Sequence, residues 1–148
     1  MKKVAIMGAC GMVGGTMLQV LRERKLPISE LFLFDIEACA GRTFDFNGKT
    51  VTVETSTHQI FDRGIDIALF AIDTPISQEY APIAAKNGCV VIDNSSAWRM
   101  DDSVPLVVPE VNGDDALTNK GIIASPNSLQ FRLLPPLTPC TKPSESSA

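Results

Sequence analysis

The chain has 148 residues, enough for one domain with a buried core, and 45% of them are apolar, which excludes general disorder. A net charge of −4 without any basic run argues against nucleic acid as a partner. No apolar stretch approaches the roughly 18 residues that suggest a membrane span, so no membrane partner is expected. Cys10, Cys39, Cys89 and Cys140 form no CxxC pair. The expectation is reduced thiols in a cytoplasmic protein with no metal site.

In chain order, VAIMG (residues 4–8) reads as a buried strand. Lys2 and Lys3 before it mimic a signal peptide, but glycines break the apolar run that would follow. TMLQVLRERK puts Met17, Leu18 and Leu21 on one helical face, and Pro27 ends it. ELFLFD (30–35) is a second strand, and Phe44 to Glu54 alternates around Asn47-Gly48 as a hairpin. IDIALFAID (65–73) is a third buried strand. ISQEYAPIAAKNG (76–88) reads as a helix stopped at Asn87-Gly88, with Pro82 counting against its middle. CVVIDNS (89–95), PLVVPEVN (105–112) and KGIIASPN (120–127) read as the fourth, fifth and sixth strands. This alternation predicts an α/β fold, a doubly wound, Rossmann-like parallel sheet with flanking helices over residues 1–127. At Asn127 the pattern stops. Residues 128–148 are rich in proline and serine and show no periodicity.

The turn after the first strand carries Gly8, Gly11 and Gly14, followed by the first helix. One glycine permits the tight turn, one lets backbone approach a pyrophosphate, and one lets helix and strand pack closely. The spacing is GxxGxxG, and the strand before it and helix after it supply the context a dinucleotide site needs. Met12 and Val13, which open the helix, belong to this cofactor site. Asp35 closes the second strand, where a carboxylate accepts from adenosine ribose hydroxyls. It repels a 2′-phosphate, as does Glu37, and Arg42 is the nearby cation that offsets them. The expected cofactor is therefore NAD or NADP, leaning to NAD. A turn that merely needs glycines, and an ordinary loop acid at Asp35, are the plainer alternatives.

The runs YAPIAAKNGCVVIDNSSAWRM, VPLVVPEVN and IIASPN resemble aspartate-semialdehyde dehydrogenase, as do VAIMGACGMVGGTMLQVL and GRTFDFNGKTVTVE. The resemblance runs over residues 1–127. It implies interconversion of aspartyl phosphate and the semialdehyde with a nicotinamide cofactor, in the biosynthesis of lysine, methionine and threonine, by a homo-oligomer. It implies that Arg99 grips the substrate phosphate, that Asn94 and Ser95 lie at the nicotinamide end, and that Asn127 orients substrate. The family's nucleophilic Cys falls at Ser128, whose hydroxyl is almost never ionised at neutral pH. The family's Ser- and Arg-containing loop after the second strand is FDIEACAGR here, and its glycine-rich loop after the third is AIDTPIS. The acid-base His and the dimer-forming sheet belong to a C-terminal domain beyond the resemblance. His58 is expected to be an exposed loop residue, and Cys140 has no positioned base.

The tail can be written as a shifted reading of a plausible gene. A coding string for CSPIQIVAALNPLHEAVRIKRV, stripped of one base in its first codon, translates as Ser128 through Ala148 and then stops. The tail is therefore expected to be out of frame, and the chain a cofactor domain that is inactive alone. A stand-alone dinucleotide-binding or regulatory module is the competing reading. N-acetyl-glutamyl-phosphate reductase is a third, disfavoured by DNSSAWRM and VPLVVPEVN.

Overall fold

Apolar residues on both sides of one strand build two cores. In β1 (Lys2–Met7), Ala5 and Met7 enter one cluster while Val4 and Ile6 enter another across the sheet. The computed structural model describes residues 1–126; Asn127, Ser128 and the rest of the tail lie outside the described residues. β1 pairs in parallel with β2 (Ile28–Asp35) on one side and β5 (Ile67–Phe70) on the other. β6 (Val90–Asp93) and β7 (Ile122–Ala124) extend the sheet in parallel beyond β5. β4 (Lys49–Thr55) joins β2 in parallel, and β3 (Thr43–Phe46) closes that edge as an antiparallel hairpin partner. The order is β3-β4-β2-β1-β5-β6-β7. Connections diverge at β1, to β2 one way and β5 the other, which opens a crevice at its carboxyl end.

Helix α1 (Met12–Arg24) lays Leu18 and Leu21 on the Val4–Ile6 face. Helix α2 (Thr74–Lys86) lays Ala81 and Ala84 on the opposite face, under Phe34, Phe61 and Phe70. Pro82 does not break α2. It is exposed, so the carbonyl it leaves without a partner can be hydrated. Asn47 and Gly48 both have positive φ, the turn that matches strand twist in a two-residue hairpin. Among the described residues no helix is long and apolar enough to cross a membrane.

The fifth strand expected at 105–112 does not form. Leu106 makes a single bridge to Ala124, and Pro109–Asn112 is a short helix, α3. The Asn112 side chain is the cause. Its Oδ1 accepts from the Val108 N–H at 2.8 Å and its Nδ2 donates to the Leu106 carbonyl at 2.9 Å. Those backbone groups are thus turned inward, and Pro109 has no N–H to extend a ladder. The third strand is also shorter than 65–73, because Asp73 becomes the N-cap of α2.

Candidate dinucleotide site

The backbone makes the first part of the site. Gly8 turns the chain out of β1 with φ of 81°, and a Cβ there would stand 2.2 Å from the Ala71 carbonyl oxygen. A Cβ on Gly14 would stand 2.0 Å from the Gly8 carbonyl oxygen. Both glycines are steric requirements of the turn and of helix–strand contact. Gly11 differs, since a Cβ there meets nothing nearer than 3.4 Å, an ordinary contact. It is the N-cap of α1 and supplies no side chain to cap it, and the first turn holds no acid. The first amides of α1, those of Met12, Val13 and Gly14, therefore point without intrahelical partners into the opening. Met12 is 92% exposed and Val13 44%, whereas Gly14 is buried. A turn drawn tight by Gly8 and Gly14, ending in the first amides at the positive end of a helix, fits a pyrophosphate.

Asp35 sits half-buried at the end of β2 and braces this turn. Its Oδ2 accepts from the Cys10 N–H at 2.7 Å and its Oδ1 from the Ile36 N–H at 2.8 Å. Each oxygen keeps a lone pair free. Beside it opens a hollow of about 340 Å³ lined by Met7, Gly8, Asp35, Glu37, Ser56 and Tyr80 among others. Both acids named in the sequence line it. Arg42 is exposed and does not, though it lies near enough to favour the Cys10 thiolate. A larger hollow, about 580 Å³, lies between the start of β2 and the β3–β4 hairpin. None of its lining residues belongs to the glycine turn or to a helix, so it is unrelated to this crevice.

Further along the same row of strand ends, side chains take over. Asp93 ends β6 fully buried, and its two oxygens accept from the Ser95 N–H at 3.2 Å and the Ser95 hydroxyl at 2.6 Å. Ser95 Oγ in turn accepts from the Ala97 N–H. Ser95 is thus buried and committed to the loop, while Asn94 remains half-buried beside it. Arg99 donates through Nε to the Ser125 carbonyl at 2.9 Å and through Nη2 to the Asn94 carbonyl at 3.0 Å. Among the described residues, neither bond uses its Nη1. Trp98 Nε1 donates to the buried Ser77 hydroxyl and pins this loop on α2.

Sequence reasoning missed Asp93, Ser77 and the bracing role of Asp35. An Asp two residues before a Ser is a signature of an Asx turn and could have flagged the first. Asn127 and Ser128 lie outside the described residues. His58 is exposed as expected, in a 3₁₀ turn (His58–Arg63), with Nε2 2.6 Å from Glu79 Oε1.

A family profile described as semialdehyde dehydrogenase, NAD binding domain, matches residues 3–119. The chain belongs to the semialdehyde dehydrogenase family. The resemblance carried by DNSSAWRM and VPLVVPEVN is borne out. This semialdehyde dehydrogenase domain is 50% identical over 139 residues to the aspartate-semialdehyde dehydrogenase of Aquifex aeolicus, covering 93% of this chain and 41% of that protein. It matches the crystal structure of aspartate semialdehyde dehydrogenase II of Vibrio cholerae complexed with ASA. There the TM-score is 0.85 at 47% identity, over 90% of this chain and 44% of the other. A Candida albicans aspartate semialdehyde dehydrogenase solved with NADP shares the fold, with TM-score 0.77 at 22% identity, over 93% of this chain and 46% of that one. The chain therefore spans about two fifths of the curated relatives it matches.

Proposed function

We propose that this chain is the dinucleotide-binding part of an aspartate-semialdehyde dehydrogenase. The observation that carries the reading is one crevice edge with two anion-seeking features. The Gly8–Gly14 cradle stands at the end of β1, and Arg99 stands at the ends of β6 and β7. The cradle suits a pyrophosphate and the half-free guanidinium suits a substrate phosphate. When bound, a nicotinamide cofactor supplies hydride transfer. In this reading the chain's own residues bind and orient: Asp35 serves the ribose hydroxyls, Arg99 the acyl phosphate, Asn94 and Ser95 the nicotinamide end, and Asn127 the orientation of the substrate.

NAD is the preferred nucleotide, because Asp35 and Glu37 line the hollow and Arg42 does not. Two carboxylates near a doubly charged 2′-phosphate oppose NADP. Calorimetric titration with both nucleotides tests this, and tighter NADP binding would overturn it.

Turnover is not expected of the 148-residue chain, since Ser128 stands where the family's thiol acts. Phosphate-dependent reduction of NAD or NADP by the purified chain would refute that. The proposed origin of residues 128–148 is an out-of-frame reading, and resequencing the gene across the Asn127 codon decides it.

A further inference from the structure

Two cysteines that are far apart in sequence meet at the adenosine end of the crevice. Cys10 lies in the glycine turn and Cys39 ends a 3₁₀ turn (Glu37–Cys39) that follows β2. We propose that Cys10 Sγ, Cys39 Sγ and a carboxylate oxygen of Asp35 form a site for a thiophilic divalent cation of the zinc class. The three donor atoms lie within 4.8 Å of one another, and all three residues are half-buried. A tetrahedral zinc ion, with Zn–S of about 2.3 Å and Zn–O of about 2.0–2.2 Å, spaces such donors about 3.5–4 Å apart. Small side-chain rotations close the present arrangement onto an ion. Two thiolates and a carboxylate are the donor set that zinc and related soft ions select, and a fourth position stays open to water.

The surroundings hold these donors in place. Both oxygens of Asp35 are fixed by backbone N–H groups, from Cys10 at 2.7 Å and from Ile36 at 2.8 Å. Cys39 is fixed by its own N–H, which donates to the Ile36 carbonyl at 2.9 Å, and by its carbonyl, which accepts from Arg42. Such outer bonds orient ligands and tune affinity. A divalent ion together with the Arg42 guanidinium balances two thiolates and one carboxylate, and each thiol releases its proton to solvent as it coordinates.

Occupancy has a consequence for the nucleotide. A metal takes one of the two lone pairs that Asp35 keeps free and draws charge from the other, and Cys10 lies in the glycine turn itself. Metal and dinucleotide should be antagonists, each weakening the other by the same factor. Only this part rests on the dinucleotide reading.

The test uses the full chain kept reduced with a phosphine and titrated with Co²⁺ alone. A thiolate-to-cobalt charge-transfer band should rise, saturate stoichiometrically and be erased by Zn²⁺. Cys10→Ser and Cys39→Ser should each remove it, and Asp35→Asn should weaken cobalt binding about tenfold or more. Cys89→Ser and Cys140→Ser should leave the band unchanged, and far-ultraviolet circular dichroism should show every variant folded. Absence of the band, or its survival in Cys10→Ser or Cys39→Ser, overturns the site. Zinc-loaded chain should bind NAD about tenfold more weakly than metal-free chain. Equal NAD affinity in both forms overturns the antagonism. The cobalt readout needs no nucleotide, so a chain that binds the metal and no NAD refutes the dinucleotide reading while supporting this one.

Discussion

At the carboxyl end of β1 the backbone itself makes the site, whereas at the ends of β6 and β7 side chains tie loops to strands. The first end depends on what is missing. Backbone packs against Gly8 and Gly14 where a methyl group would have to stand, and α1 begins without a side-chain cap. The second depends on what is present. Asp93 folds the chain over Ser95, and Arg99 bridges the carbonyls of Asn94 and Ser125. Steric exclusion is abrupt and has no graded substitute. Hydrogen bonds to partly exposed carbonyls are individually modest, and water can replace part of them. The two ends should therefore respond differently to substitution.

The largest effect is expected at Gly14. Gly14→Ala forces a Cβ to 2.0 Å from the Gly8 carbonyl oxygen, where backbone must move. Urea unfolding should show a loss of about 3 kcal/mol or more. Gly15→Ala, one residue on, meets nothing within 4 Å and should be neutral or up to about 1 kcal/mol more stable. Equal responses at the two positions would remove the steric account of the first end.

Arg99→Met comes next. It strips the Ser125 and Asn94 carbonyls of a charged donor, and a loss of about 2 kcal/mol is expected from the same unfolding measurement. Arg99→Lys keeps the charge without the fork. It should retain weak phosphate affinity and recover little stability. If lysine restores both, Arg99 acts as a point charge and the bridging account fails.

Asp35→Ser tests the junction between backbone and side chain at the first end. The ratio of NAD to NADP affinity should fall about tenfold, which corresponds to roughly 1.4 kcal/mol. An unchanged ratio by calorimetry would mean that Asp35 serves only to brace the Cys10 amide.

The smallest effect lies at the sheet margin that carries the first end. Arg63 Nη2 stands 2.6 Å from Glu54 Oε2, with both side chains more than two fifths exposed, 41% and 44%. The Arg63 guanidinium, chiefly through its hydrogen bonds, holds the Glu54 carboxyl below its ordinary value of 4.5. A depressed carboxyl contributes fully above pH 4.5 and loses that contribution as pH falls through its lower folded value. Solvent screening keeps the pair to about 0.5 kcal/mol. Glu54→Gln should show that difference at neutral pH and none in acid. A difference that persists in acid would assign it to packing of Arg63 over the Phe32 and Phe34 rings instead.

Much of the first end was legible in the chain because local rules dominate there. Glycine spacing after an apolar run, the Asn47-Gly48 turn and an acid closing β2 each act within a few residues. The strand expected at 105–112 was misread for the opposite reason. Its composition suits a strand, but Asn112 reaches back to Leu106 and Val108 and claims their backbone groups. The Asp93–Ser95 contact was likewise not legible, because it depends on a carboxylate that the sheet buries.

By itself the sequence determined the strand–helix alternation, the steric need for Gly8 and Gly14, and the acid at Asp35, since each follows from chain stereochemistry and apolar period. Tertiary structure alone decided that Asp35 also braces Cys10 and that Arg99 reaches Ser125. It alone brought Cys10 and Cys39 together on one side of Asp35. Those contacts join residues many positions apart, and their distances are set by how parallel strands register in the sheet, which residue spacing along the chain does not encode.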